Sequence, residues 1–337
     1  MKALSRPPPD EAQSKLSFTQ ALDLDRIVRD AGSRNASEVN LLLDAVTARL
    51  IEEKEAGRLW MSGIDGRGER VSNGMWVQGY VAHLPMAGTA IIVGDTHSRP
   101  HCLEQVLRVT RFAERLNGGE EIYLALLGDY VDKPNSIKEC GGVKVLEMIM
   151  DLKIQRPNNV IILPGNHDIV ENGRINTQQF PQEVLGKYGP TDGPAIRERY
   201  RRLFAELVPL AIRFDNGIFA VHGGAASTVK TLSDVINPTQ STREQLIWND
   251  PDAQVKRYGP SHRGAGFHFG GDALKEFLGA VDSSVLVRGH QRKVAHELDS
   301  TCLTLNSMDY GDSTKAYAVV DLRRAVCRTS QIKINYF

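Results

Sequence analysis

The sequence is short of cysteine, of net charge and of long apolar runs. Its four cysteines are scattered over 337 residues without a Cys-x-x-Cys pair, so a disulfide-stapled secreted fold is not expected. The 41 basic side chains balance the 41 acidic ones, which leaves no global field to attract nucleic acid or an anionic membrane. No apolar run approaches the ~20 residues of a membrane-spanning helix. We therefore expect neither nucleic acid nor a membrane as a partner.

The N-terminal region also lacks an apolar signal sequence. Residues 1–20 are polar, and Pro7-Pro8-Pro9 interrupts them early, so we expect a flexible tail rather than a secretory signal. Together with the sparse cysteines, this predicts a reducing location, the cytoplasm or the nucleus.

Four short polar motifs in fixed order are what the sequence does contain. Each follows an apolar run, such as Ala90–Val93 or Ile218–Val221, that predicts a buried strand. The motifs are Gly94-Asp95-Thr96-His97, Gly128-Asp129-Tyr130-Val131-Asp132, Gly165-Asn166-His167-Asp168 and His222-Gly223-Gly224. Because the polar ends of such strands gather at one edge of a sheet, we expect these side chains to lie together.

The residue types in these motifs predict a pair of divalent metal ions. Carboxylates mixed with imidazoles, with almost no thiol nearby, suit Mn, Fe or Zn. In Asp95-x-His97 the alternation of the strand end places both side chains on one face, and Asp129 has two oxygens with which to bridge two ions. The other candidate ligands are Asn166, His222 and His290, which follows the apolar run Val285-Leu286-Val287.

This metal pair predicts hydrolysis of a phosphate ester. Two ions about 3.5–4 Å apart lower the pKa of a shared water and clamp a phosphoryl group for in-line attack by the resulting hydroxide. His167 is placed to protonate the leaving alkoxide, and Asp132 to orient that imidazole. Charge on the phosphate oxygens calls for guanidinium groups, for which Arg263 and Arg288 are the candidates. His262 and His268 flank Arg263 and are further candidates for substrate contact.

Each motif alone is equally compatible with an ordinary turn or a structural histidine. Together they resemble the phosphoprotein phosphatase family of Ser/Thr phosphatases, which contains protein phosphatase 1, protein phosphatase 2A and calcineurin. Three further segments carry the resemblance: Ile247-Trp248-Asn249-Asp250-Pro251, Arg263-Gly264-Ala265-Gly266-Phe267-His268-Phe269-Gly270 and Arg288-Gly289-His290-Gln291. The resemblance implies an α/β fold, a metallophosphoesterase β-sandwich flanked by helices, with a dinuclear centre at the sandwich edge.

The resemblance also implies roles for individual residues. Asp95, His97 and Asp129 would hold the first metal, and Asp129, Asn166, His222 and His290 the second. His167 with Asp132 would form the acid pair. The substrate-binding residues would be Asn166, Arg263, Lys133, Arg288 and Tyr310. Phosphoproteins are the implied substrates, and regulatory or docking subunits the implied partners.

The chain departs from the family pattern in ways that indicate a divergent branch. Val131-Asp132-Lys133-Pro134 replaces the usual Val-Asp-Arg-Gly. Lys133 keeps the positive charge of the arginine but lacks its planar guanidinium, which can donate two parallel hydrogen bonds. Ser307-Met308-Asp309-Tyr310-Gly311 replaces the usual Ser-Ala-Pro-Asn-Tyr. Sensitivity to the toxins that inhibit the family is therefore not assumed.

The N-terminal part of the chain predicts helices and hairpins. Helical patterns cover Ala21–Ala31 and a segment from Ser37, as N-cap, to about Gly57, and turn signals in Arg58–Leu84 indicate one or two hairpins. We divide the chain into a tail (1–20), N-terminal helices and a hairpin insert packed on the core (21–88), and the metallophosphatase catalytic domain (89–337).

Alternatives remain open beside the Ser/Thr phosphatase hypothesis. Lys133 and Asp168 fit a hydrolase of dinucleoside polyphosphates or capped RNA resembling the diadenosine tetraphosphatase branch. A phosphotyrosine preference is compatible with the same chemistry. A non-enzymatic docking module is disfavoured, since none of the six metal-ligand positions is missing and the acid His167 is present.

Overall fold

The computed structural model describes residues 21–62, 74–133, 141–169, 179–309, 311 and 313–337. The expected N-terminal tail and the middle of the hairpin insert lie outside these ranges, as do Pro134 and Tyr310. None of the helices in the described ranges is both long and apolar enough to cross a membrane.

The strands form two large sheets and one small one. In chain order they are β1 (Trp76–Gln78), β2 (Val81–Leu84), β3 (Thr89–Val93), β4 (Ile122–Leu126), β5 (Val160–Ile162), β6 (Ala211–Phe214), β7 (Ile218–Val221), β8 (Asp250–Pro251), β9 (Tyr258–Pro260), β10 (Phe267–Phe269), β11 (Val285–Arg288), β12 (Ala295–Glu297), β13 (Cys302–Thr304), β14 (Ala316–Asp321) and β15 (Lys333–Tyr336). The large sheets run β1-β2-β6-β7-β11-β13-β12 and β15-β14-β3-β4-β5, and the small sheet runs β8-β10-β9.

The two large sheets pack face to face, and both faces of each are buried. Along β3, Ala90 and Ile92 point into the core between the sheets, while Ile91 and Val93 point to the helices outside. Because neither face meets water, the strand reads as an unbroken apolar run rather than an alternating one. The apolar runs of the sequence therefore correspond to central strands.

Helices cover the outer faces of the sandwich. They are α1 (Leu24–Asp30), α2 (Ala36–Ser62), α3 (Pro100–Val109), α4 (Phe112–Asn117), α5 (Gly142–Gln155), α6 (Gln179–Arg202), α7 (Ser233–Ile236), α8 (Gln240–Trp248) and α9 (Gly271–Ala280), with a π-helical turn at Leu203–Leu207 and a 3₁₀ turn at Thr329–Gln331. Helices α1 to α6 contribute to the core on the five-stranded sheet, and α7 to α9 to the core on the seven-stranded sheet. The predicted helix-flanked β-sandwich is confirmed.

The second N-terminal helix differs from its prediction at both ends. Asn35, not Ser37, caps it: the Asn35 side chain accepts from the Glu38 N–H at 3.0 Å, and Glu38 accepts from the Asn35 N–H at 2.8 Å, a capping box. The helix also runs past Gly57 to Ser62. A Cβ at Gly57 would lie 1.7 Å from the Val77 carbonyl oxygen, so this glycine permits close packing on β1 rather than ending the helix.

Two further turns shape the N-terminal half of the fold. Helices α3 and α4 are separated at Arg111, which has a left-handed φ of 52°. In the insert, a hairpin joins β1 to β2 through Gly79 and Tyr80, since Gln78 pairs with Val81. Strand β2 then pairs parallel with β6, so the hairpin extends the edge of the seven-stranded sheet.

Candidate active site

Five strands deliver the polar motifs to one edge of the sandwich. Strands β3, β4 and β5 are parallel neighbours in one sheet, and β7 and β11 are parallel neighbours in the other. Their carboxyl ends therefore meet at the same edge. The side chains that follow these ends are buried: Asp95, His97, Asp129, Asp132, Asn166, His167, His222 and His290.

Asp95, His97 and Asp129 form the first candidate ligand group. His97 Nε2 lies 3.6 Å from Asp95 Oδ2 and 3.2 Å from Asp129 Oδ2. The other ring nitrogen, Nδ1, is 2.7 Å from the Val131 carbonyl oxygen, which can only accept a hydrogen bond. Nδ1 therefore carries the proton, and Nε2 is turned toward the carboxylates as a donor atom for a metal.

Asp129, Asn166, His222 and His290 form the second group. His222 Nε2 lies 3.0 Å from Asn166 Oδ1, 3.2 Å from His290 Nδ1 and 3.5 Å from Asp129 Oδ1. His222 Nδ1 is 2.9 Å from the Leu127 carbonyl oxygen, so its ring is oriented in the same way as that of His97. Asp129 has one oxygen in each group, which is the arrangement required of a bridging ligand.

The donor set fits a pair of divalent cations. Asp129 Oδ2 is buried and has no hydrogen-bond partner among the described residues, and an orphaned buried carboxylate oxygen is costly unless a cation binds it. Burial lowers the pKa of His97, but the Asp129 and Asp95 carboxylates together outweigh it and raise that pKa to about 9. Burial and the neighbouring His222 hold the pKa of His290 well below its usual value. The site therefore favours positive charge between its ligands while His290 stays neutral.

His167 and Asp132 form a hydrogen-bonded pair beside these groups. His167 Nδ1 lies 3.1 Å from Asp132 Oδ2, and the other Asp132 oxygen accepts from the Phe180 N–H at 2.8 Å. The backbone N–H of His167 donates a hydrogen bond to Asp129 Oδ1 at 2.9 Å. Burial lowers the pKa of His167 below its ordinary value, against the opposing effect of Asp129. This pair has the geometry of a proton donor and its orienting carboxylate.

Several of these residues adopt left-handed backbone conformations. Asp129, Asp132 and His290 have φ of 57°, 63° and 69°, which residues other than glycine rarely adopt. Close backbone approach adds a second constraint at Gly165, where a Cβ would lie 2.2 Å from both the N–H nitrogen and Oδ1 of Asp129. Such concentrated strain is typical of functional sites.

The two arginines proposed for phosphate binding occupy different environments. The Arg263 side chain is 30% exposed, and its Nε donates to Asp250 Oδ2 at 2.6 Å, while no described residue bonds its terminal nitrogens. Arg288 is fully buried. Its partners are Asp250 Oδ1 at 2.8 Å, Gln291 Oε1 at 3.0 Å, Thr304 Oγ1 at 3.3 Å, Asn249 O at 3.4 Å and Gly223 O. These contacts argue against the expectation that Arg288 binds substrate.

Lys133 and Tyr310 complete the predicted substrate-binding set. Lys133 Nζ lies 3.0 Å from His97 Nε2, beside the first ligand group. The backbone N–H of Lys133 donates a hydrogen bond to Gln179 Oε1 at 2.9 Å, and its backbone carbonyl accepts one from Arg99 Nη1 at 2.6 Å. Tyr310 lies outside the described residues.

Two carboxylates support the site in a role that their motifs did not predict. Asp168 Oδ2 accepts from the N–H groups of Asp129 and Gly165, each at 2.7 Å, and Oδ1 from that of Tyr130 at 3.0 Å. Burial, with the Asp129 charge, raises the pKa of Asp168 to about 7. Asp250 pairs with both arginines. Each stands inside a motif noted in the sequence, which was the available signal.

Comparison with known proteins agrees with this geometry. Residues 88–293 match the model of the calcineurin-like phosphoesterase family. A PP2A-like serine/threonine-protein phosphatase of Candida albicans is 31% identical over 209 residues, covering 59% of this chain and 46% of that protein. The catalytic subunit of serine/threonine-protein phosphatase 6 of Caenorhabditis elegans is 28% identical over 218 residues, covering 62% of this chain and 60% of that protein.

These alignments span about half to three fifths of the length of the relatives. Among solved structures, a Saccharomyces cerevisiae protein serine/threonine phosphatase with similarity to human phosphatase PP5 superposes with a TM-score of 0.63 at 22% identity. The superposition covers 88% of this chain and 89% of that one. At 22% sequence identity, this similarity shows a shared fold and nothing further.

Proposed function

The chain belongs to the calcineurin-like phosphoesterase family, and on that premise we propose that it is a metal-dependent phosphatase acting on phosphoserine and phosphothreonine in proteins. One observation carries the proposal. A buried carboxylate, Asp129, has one oxygen in each of two ligand groups, and the His167–Asp132 pair lies directly beside it. The serine/threonine phosphatase names of the curated relatives favour a phosphoprotein substrate.

In this proposal the two ligand groups hold two divalent ions, for which Mn²⁺ is the practical choice in vitro and Fe or Zn are alternatives. Asp95, His97 and Asp129 would hold one ion, and Asp129, Asn166, His222 and His290 would hold the other. Such ions, when bound, lower the pKa of a water molecule between them and neutralise charge on phosphoryl oxygens. The chain contributes rigidity, because Val131 and Leu127 fix the imidazoles of His97 and His222.

His167 protonates the leaving oxygen of the phosphorylated side chain. Its Nδ1 proton is engaged by Asp132, so Nε2 is the nitrogen that carries the transferable proton. Phe180 holds Asp132 from the other side through its N–H. Burial lowers the pKa of His167, which makes the imidazolium a stronger acid and assists departure of a poor leaving group such as an alkoxide.

Arg263 and Lys133 bind the phosphate oxygens. Asp250 holds Arg263 by Nε, which leaves both terminal nitrogens for a bidentate contact. Lys133 supplies a single positive charge where the family pattern has a second guanidinium group. Asn166 and Tyr310 stay in the proposed substrate-binding set, and Arg288 is reassigned to support of Asp250.

The proposal extends to location and partners. Phosphoproteins are the substrates, docking subunits are candidate partners, and the sparse cysteines favour the cytoplasm or the nucleus. Three cysteines fall in described residues and all are free, in keeping with a reducing environment.

Phosphate release after Mn²⁺ loading tests this function. The substrates are phosphoserine and phosphothreonine peptides, a phosphotyrosine peptide and diadenosine tetraphosphate, with Asp95→Asn as the inactive control. We expect preference for the first two. Preference for the nucleotide would replace the proposal with the dinucleoside polyphosphatase alternative, and activity in Asp95→Asn equal to the wild type would refute the metal assignment.

A further inference from the structure

Beside the proposed phosphate contact, three side chains form a hydrogen-bonded chain that the mechanism does not use. Asp252 Oδ2 lies 2.9 Å from His268 Nδ1, and His268 Nε2 lies 3.1 Å from His262 Nδ1. His268 is mostly buried, with 16% of its side chain exposed, whereas His262 is exposed. This series of hydrogen bonds thus runs from the Asp252 carboxylate through the mostly buried imidazole of His268 to the exposed imidazole of His262.

The small sheet directs this chain toward the active site. His268 on β10 is paired in parallel register with Asp250 on β8, so their side chains project from the same face of the sheet. Asp250 holds Arg263 and lies 4.0 Å from His290 Nε2. His262 immediately precedes Arg263 in the same loop. The surface imidazole is therefore a neighbour of the arginine proposed to bind phosphate.

The hydrogen bonds determine what His262 offers to a ligand. An ionised Asp252 can only accept a hydrogen bond, so His268 Nδ1 carries a proton. When both imidazoles are neutral, His268 Nε2 accepts a hydrogen bond from His262 Nδ1. Uptake of one proton makes His262 Nε2 an outward N–H donor while Asp252 balances the charge. The pKa of Asp252 lies below its usual value because the His268 ring and the Gln254 backbone N–H both donate hydrogen bonds to it.

We propose that His262, held in place by His268 and Asp252, binds a carboxylate that flanks the phosphorylated residue of the substrate. The single outward N–H of His262 can donate one hydrogen bond to a carboxylate oxygen. The phosphate is instead bound by the two terminal nitrogens of the Arg263 guanidinium. This inference rests on the proposed phosphatase function and adds a preference for acidic sequences. Asp252 and His268 are positioning residues, since they act through His262.

The experiment compares two sets of phosphothreonine peptides, identical except for Asp or Asn at the positions on either side of the phosphorylated residue. The measured quantity is the ratio of kcat/KM for the Asp set to that for the Asn set, with Mn²⁺-loaded full-length protein. We expect a ratio of about ten at pH 6, as one charge-assisted hydrogen bond supplies. His262→Gln should bring the ratio close to one, and Asp252→Asn should lower it at pH 6.

His296→Gln is the matched control, since His296 also hydrogen-bonds through Nδ1, to Thr329, but lies on β12; it should keep the wild-type ratio. A ratio of one in the wild type, or an unchanged ratio in His262→Gln, would overturn the inference while the phosphatase function stands. Failure to release phosphate from either peptide set would instead refute the proposed function.

Discussion

Replacement of Arg288 should weaken the fold, whereas replacement of Arg263 should slow the reaction. Arg288 is fully buried and pairs with buried Asp250 at 2.8 Å. Removing one partner of such a pair costs about 3–5 kcal/mol. With about 2.1 cal/mol/K of unfolding entropy per residue over 337 residues, this corresponds to a fall in melting temperature of about 4–7 °C. Asp250 keeps Arg263 as a second partner, so we expect the lower end of this range for Arg288→Ala.

Arg263→Ala has the opposite profile. The side chain is 30% exposed, and among the described residues its contact is the one to Asp250 at 2.6 Å, so its removal should shift the melting temperature by less than about 2 °C. Loss of charge-assisted hydrogen bonds to phosphate, about 1.5–3 kcal/mol, should lower kcat/KM about 10- to 150-fold. Arg257→Ala is the control, because Arg257 precedes the same loop and forms a surface pair with Glu276; neither quantity should change.

The assays are thermal unfolding and phosphopeptide kinetics on the same preparations. The reasoning fails if Arg288→Ala keeps the wild-type melting temperature but loses activity as Arg263→Ala does. That result would mean that Arg288 contacts the substrate, as the family resemblance implied, and that its buried contacts are not its role.

Three further predictions follow from the site. His167→Asn should lower kcat/KM about 10²- to 10⁴-fold on a phosphothreonine peptide but far less on para-nitrophenyl phosphate, whose leaving group needs no proton; equal losses would exclude His167 as the acid. Gly165→Ala places a Cβ 2.2 Å from the Asp129 nitrogen and should abolish tight Mn²⁺ binding in equilibrium dialysis, whereas Gly186→Ala, with open space around it, should not; wild-type affinity in Gly165→Ala would contradict the packing argument. Burial raises the pKa of Glu183 from 4.5 to about 7, so the folded chain binds more protons than the unfolded chain and this group's contribution to stability falls as the pH rises through that interval. Glu183→Gln should therefore gain melting temperature relative to the wild type between pH 5 and pH 7, and a constant difference would count against it.

The sequence was most informative where a residue's role depends on its own strand. Apolar runs ending in Gly-Asp or Gly-Asn predicted central strands, and the convergence of Asp95, Asp129 and Asn166 followed from strand ends meeting at one edge. These features are local, so periodicity and residue type were sufficient.

Roles that depend on distant contacts were not predictable in the same way. Burial of Arg288 is set by packing around β11, and the motif gave no sign that its donors were engaged. The glycine at position 57 signalled a helix end but serves close packing against Val77. The link from α6 to Asp132 and Lys133, made by the Phe180 N–H and the Gln179 side chain, joins segments about 46–48 positions apart. Such long-range partners appear only in the folded chain.

The central claim is that two cations, bridged by Asp129, are required for phosphate release. The most direct test counts Mn²⁺ ions bound per chain by equilibrium dialysis and measures phosphothreonine peptide hydrolysis in the same samples, for the wild type and Asp129→Asn. The account predicts two ions per wild-type chain, activity that rises with the second ion, and loss of both in the variant. Full activity with one ion per chain, or wild-type activity in Asp129→Asn, would contradict it.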